Sequence, residues 1–123
     1  MLKILREQLD HFARKAKEDF ADRVVRHVHI TVPATAASMT PEQLRARVED
    51  GMARAERHGI VHEPDAVEFI LMLLALGPAA DEEIPWVHEI VNDRGLDGGG
   101  KVRLLEETGR RVLGPQPQAE ERA

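Results

Sequence analysis

Six histidines are the first residues in this chain that invite a chemical reading. His58 and His62 are four apart, which is a chelating spacing on a continuous helix, and Glu63 follows as a third possible ligand. Gly59 stands between them and is expected to end the helix there, which would separate the two imidazoles. The order His-Gly-Ile-Val-His-Glu also differs from the metalloprotease motif, which needs its Glu directly after the first His. His27 and His29 are two apart and point to different sides of a helix. A histidine metal site is therefore the minor alternative, and solvent-facing or capping histidines are the expectation.

Other chemistry-bearing residues are equally unsupported by their neighbours. Glu82-Glu83 and Glu106-Glu107 are paired carboxylates, but they fall at a helix start and on an exposed helical face, where solvated charge is ordinary. Ser38 is the only serine, and Thr31, Thr35, Thr40 and Thr108 lack a surrounding motif. Gly98-Gly99-Gly100-Lys101 superficially resembles a phosphate loop. It lacks the full motif, a preceding strand and the following hydroxyl, since Val102 occupies that place. The glycines are expected to be a flexible connector. With no cysteine in the chain, thiol catalysis, zinc–thiolate sites and disulfides are excluded. No catalytic residue and no cofactor are expected.

Trp86, after Pro85, is expected first as a core residue that caps the end of the central helix pair. Its alternative is a partner-facing anchor. Asp81, Glu82, Glu83, Glu89 and Asp93 surround it without a Lys or Arg, which would favour a basic partner surface. Trp86, Glu82, Glu83 and Glu89 are therefore the candidate partner-binding residues. The net charge of −5, the absence of a basic cluster and the scarcity of aromatics argue against nucleic acid.

The elements that position these residues are helices. Val67, Phe69, Ile70, Leu71, Met72, Leu73, Leu74 and Leu76 spread over roughly 260° of a helix at about 100° per residue, leaving only Glu68 and Ala75 in the remaining strip. Such a cylinder must be surrounded. Before it, Leu5, Leu9, Phe12, Ala16, Phe20, Val24 and Val28 form one apolar stripe on a helix over 3–28. Residues 34–39 are expected to connect, and Thr40-Pro41-Glu42-Gln43 forms a capping box that starts the next helix. Leu44, Val48, Met52 and Ala55 make its buried stripe, and Gly59 ends it. A short helix carrying Trp86, Val87, Ile90 and Val91 follows Pro85. The last helix, about 101–112, buries Val102, Leu105 and Val112. The expectation is an all-α fold: a compact orthogonal bundle of about five helices around a buried central helix, 64–76. Residues 1–113 would form one domain and 114–123 a flexible tail.

The longest apolar run is too short for the roughly 20 residues of a membrane span. The charged residues Arg6, Glu7 and Asp10 interrupt any signal-peptide core. A soluble cytoplasmic protein is the expectation.

From residue 27 onward the order of signals resembles a group of small all-helical bacterial proteins encoded beside spike and effector genes of type VI secretion systems. The residues that carry the likeness are His27-Val28-His29-Ile30-Thr31-Val32-Pro33, Gly51-Met52-Ala53-Arg54-Ala55, His58-Gly59-Ile60 and Glu63-Pro64-Asp65-Ala66-Val67. Leu71-Met72-Leu73-Leu74-Ala75-Leu76-Gly77 and Ile84-Pro85-Trp86-Val87, leading to Asn92-Asp93, complete it. The chain departs from that pattern at Val32, where an aromatic is expected, and at Ala79-Ala80, where Phe-Asp is expected. The resemblance implies a protein-binding accessory role, as adaptor or chaperone for a secreted effector or spike component. An immunity protein that neutralises a cognate toxin is the alternative, to which the acidic balance is suited.

Overall fold

The computed structural model describes residues 2–114, and among them every regular element is a helix. In chain order these are α1 (Leu2–Thr31), α2 (Pro33–Ala37), α3 (Pro41–Arg57), α4 (Glu63–Leu76), α5 (Ala80–Glu83), α6 (Pro85–Val91) and α7 (Gly98–Leu113). The all-α expectation holds. The two extra elements are the short α2 and α5, of five and four residues. The tail expected from Gly114 onward lies, after Gly114, outside the described residues.

Helix α4 occupies the centre. Ala66, Phe69, Ile70 and Leu73 are buried, Val67, Leu71, Met72, Leu74 and Leu76 are half-buried, and the strip holding Glu68 and Ala75 is exposed as its pattern requires. One side, with Phe69 and Leu73, packs into a core with Val87, Val91, Val102 and Leu105 of α6 and α7. Another side, with Ile70, packs among Val24, Val28, Leu44 and Val48 of α1 and α3. α4 therefore joins two apolar clusters, and each fully buried branched or aromatic side chain contributes about 1.5–3 kcal/mol.

The boundaries of α3 follow from its sequence. Thr40 Oγ1 accepts from the Gln43 amide at 3.1 Å, and Gln43 Oε1 accepts from the Thr40 amide at 2.9 Å. At the other end Gly59 adopts φ +74°, and the Ile60 amide donates to the Ala55 carbonyl at 2.9 Å. That closes the helix in a Schellman-type turn, with buried Ile60 packing back. On its inner face Gly51 is buried where the helical stripe passes, and a Cβ there would stand 3.0 Å from Ile70 Cγ1. The expected core residue Met52 is only half-buried beside it.

Three expectations need correction. α1 runs to Thr31, and Pro33 opens a further helical turn where a connection was expected. Proline needs no amide partner in a first turn, and alanines favour the continuation. Gly98-Gly99-Gly100 forms the first turn of α7, with Asp97 as N-cap accepting from the Gly100 amide at 2.7 Å. Val112 of α7 is 55% exposed, because α7 outruns the elements it packs against.

A larger departure lies in α1. Residues 2–19 are all exposed, and the apolar stripe meets the bundle only from Phe20 onward, with Ala21, Val24 and Val28 buried. Leu5, Leu9 and Phe12 remain 51%, 58% and 65% exposed. A 30-residue helix is about 45 Å long. α3 and α4, of 17 and 14 residues, are too short to cover it.

Candidate functional site

Two features concentrate unusual residues: a buried polar cluster at the end of α3, and the projecting part of α1. The polar cluster is centred on Asp81, the one buried charged side chain among the described residues, at 1% exposure. Arg54 Nη1 donates to its Oδ1 at 2.7 Å, and His58 Nε2 donates to its Oδ2 at 2.8 Å. Arg54 also holds Asp50 Oδ2 at 2.8 Å through Nε and lies 3.4 Å from Glu82. The His58 ring meets Phe69 edge-on at 6.0 Å between centroids. Burial by itself would raise the Asp81 carboxyl, but the hydrogen bonds and charges of His58 and Arg54 outweigh it and hold the group below the usual aspartate value.

Both carboxylate oxygens of Asp81 are thus committed to hydrogen-bond donors inside the fold, the Arg54 guanidinium and the His58 ring. Lys101 Nζ from α7 caps the same corner by donating to the His58 carbonyl at 2.9 Å. His88 Nδ1 of α6 lies 3.3 Å from the Asp81 carbonyl. The cluster ties the C-terminal end of α3 to α5, α6 and α7.

The sequence-predicted site residues are separated by this arrangement. His58 turns inward to Asp81, whereas His62 is exposed at the N-cap of α4 and Glu63 pairs with Arg23 of α1 at 2.9 Å. Among the described residues no group of three His, Asp or Glu side chains could hold a metal ion. Trp86 is half-buried against α7, its Cη2 lying over Gly109 at 3.7 Å from where a Cβ would be. Glu82, Glu83 and Glu89 are exposed beside it. The negative character of that face is smaller than the sequence suggests, because Asp81 is buried and Arg54 reaches Asp81 and Glu82.

The second feature is apolar. Leu2, Leu5, Leu9, Phe12 and Ala16 lie three or four residues apart on the free part of α1, and all are exposed. Where this stripe reaches the bundle it opens into a groove of about 470 Å³ between α1, α3 and the turn into α4. Ala16, Phe20, Met52, Ala53 and Val61 line it, with Val61 72% exposed. Lys17 bridges to Glu56 at 3.6 Å and Arg23 to Glu63, linking α1 to α3 and α4 around the groove. Arg23 also stacks over Phe20 at 5.4 Å. The Leu-Phe stripe was legible in the sequence, but its exposure was not, since periodicity shows an apolar face without showing what covers it.

No family model, curated protein or solved structure matches this chain.

Proposed function

We propose that this chain is a protein-binding accessory factor that carries no chemistry of its own. The observation that carries the reading is the projecting half of α1. Isolated apolar residues on a surface are ordinary, but a continuous row of four large side chains on a free helix is a contact surface. The exposed carboxylates Glu82, Glu83 and Glu89, beside half-buried Trp86, add a face suited to a basic partner. The likeness of residues 27–93 to proteins encoded beside type VI secretion genes supports a spike or effector component as that partner, with the chain acting as adaptor or chaperone.

The test is co-purification of the full chain with each product of the neighbouring genes. One effector or spike component is expected to remain bound through gel filtration. Reversing Glu82, Glu83 and Glu89 to Lys is expected to weaken the complex most at low salt. A chain that binds none of these products overturns the reading.

The net charge of −5 favours one second reading, an immunity protein directed at a basic toxin. Protection of cells expressing the neighbouring toxin by this chain alone would select it over the adaptor.

A further inference from the structure

We propose that the exposed stripe of α1 is covered by the same stripe of a second copy of this chain. The two helices run antiparallel, and the tip of each seats in the groove at the base of the other. This rests on the reading of α1 as a protein-binding element and names its occupant.

Spacing comes first. Leu2, Leu5, Leu9, Phe12 and Ala16 alternate three and four residues apart, which is the a/d seam of a two-helix coiled coil. A two-fold antiparallel pair sets each a position against a d position of the other helix. The register that places Leu9 against Phe12 of the second copy also places Leu5 against Ala16, a large side chain against a small one. A parallel pair would instead stack Phe12 on Phe12 and Ala16 on Ala16, crowding one layer and hollowing the other.

Length points to the same register. Leu9 against Phe12 puts Leu2, the first residue of α1, opposite Asp19 of the other helix. The polar contacts of α1 with its own bundle begin at Lys17 and Glu18, through Glu56 and Arg45 of α3, and its buried contacts begin after Phe20. The overlap therefore spans the exposed residues 2–19 of both helices, with the two bundles at its opposite ends.

Charge agrees. Lys3 and Arg6 are the only charged side chains of the tip before Glu7. They arrive over a groove lined by Glu18, Glu49, Glu56 and Glu63. Arg45, Lys17 and Arg23 already pair with Glu49, Glu56 and Glu63, so Glu18 carries the excess negative charge. At the flanks of the seam, Arg6 falls near Ala13 and Gln8 near Lys15, so no like charges face each other. A specific interface needs about 1,000 Å², which the paired stripes and both filled grooves would supply together.

The chain lacks cysteine, so introduced thiols report on this register without background. Positions 5 and 16 of one helix are about 16 Å apart, too far to bond within a copy. The double variant Leu5→Cys with Ala16→Cys is expected to form a disulfide-linked dimer at least tenfold faster than either single variant. Crosslinking of Leu5→Cys alone at the rate of the double variant would mean a parallel pair and overturn the proposal. Sedimentation from about 1 to 200 μM is expected to show the mass rising from 13.8 kDa to twice that value. Leu9→Glu with Phe12→Glu is expected to hold it at the single-chain mass, with the wild-type melting curve at concentrations where both are single chains, because both side chains are exposed. A wild-type chain that stays at single-chain mass overturns the proposal, including when the stripe captures a neighbouring-gene product, which would leave the binding function standing. A dimer that captures none of those products supports self-pairing and overturns the accessory role instead.

Discussion

Gly98 lies against the backbone of Gly59 so closely that a Cβ at position 98 would stand 2.4 Å from the Gly59 carbonyl oxygen and 2.9 Å from Ile60 Cα. The first turn of α7 thereby crosses the turn between α3 and α4 backbone to backbone. Neither neighbour is a side chain that can swing aside. Gly98→Ala is expected to destabilise the fold by about 1–3 kcal/mol, the usual cost of overpacking. Gly99→Ala, whose Cβ would be in ordinary contact with the side-chain ends of Asp65, Arg103 and Asp97 at 3.4 Å, 3.7 Å and 3.8 Å, is expected to gain up to about 1 kcal/mol from reduced backbone freedom. Urea unfolding of the two variants side by side checks the contrast.

Asp81→Ala would leave Arg54 and His58 facing an empty buried position. Breaking a buried pair in this way costs about 3–5 kcal/mol, and thermal melting should show a fall of roughly 10–20 °C. The sign with pH follows from the depressed carboxyl of Asp81. The folded state binds this proton less readily than the unfolded chain does, so the stabilisation is complete above about pH 4. It is lost as pH falls through the lower folded value. The gap between wild type and Asp81→Ala should accordingly narrow on acidification.

Thr40→Ala removes one half of the capping box and leaves the Gln43 amide without its side-chain acceptor. A loss of about 1 kcal/mol is expected in denaturant titration. Thr40→Ser, which retains the oxygen, should recover most of it.

Burial raises the carboxyl of Glu106, the neighbouring charge of Glu68 adds to this, Arg110 opposes it, and Asp65 contributes last. A raised acid binds its proton more tightly when folded, so its charge costs stability as pH climbs above the ordinary glutamate range. Glu106 is exposed on α7, so solvent screens these effects, and Glu106→Gln is expected to stabilise only slightly at pH 7, by under about 0.5 kcal/mol. The gain should vanish below pH ~4, where the wild-type side chain is itself neutral. Melting curves at both pH values measure it.

Signals that act within one turn of chain were legible in the sequence. Thr40 with Gln43, Gly59 with Ile60, and the exposed strip of Glu68 and Ala75 all took the positions their local chemistry dictates. What stayed hidden depends on distant partners. Asp81 looks like an ordinary acid beside Glu82 and Glu83, because the donors that allow its burial, Arg54 and His58, lie 27 and 23 positions earlier. The three glycines before Lys101 looked like a hinge, because the close approach of Gly59 that requires Gly98 comes from another part of the fold. Leu5, Leu9 and Phe12 looked like core for a related reason: an apolar stripe reads the same whether its cover is this chain or another. Residues 34–39 look like a plain connection since proline ends the helix before them, yet Pro33 also begins the helix after it.

The free stretch of α1 also fixes a distance. From Leu2 to Phe20 the helix advances about 27 Å, so whatever grips its tip is held at that remove from the bundle. Removing seven residues from the stretch would draw the two ends together by about 10 Å while keeping the stripe on the same side. Removing five would turn the tip by about 140° relative to the base. The helix is thus a caliper as well as a contact, and its jaw setting is written in the number of turns.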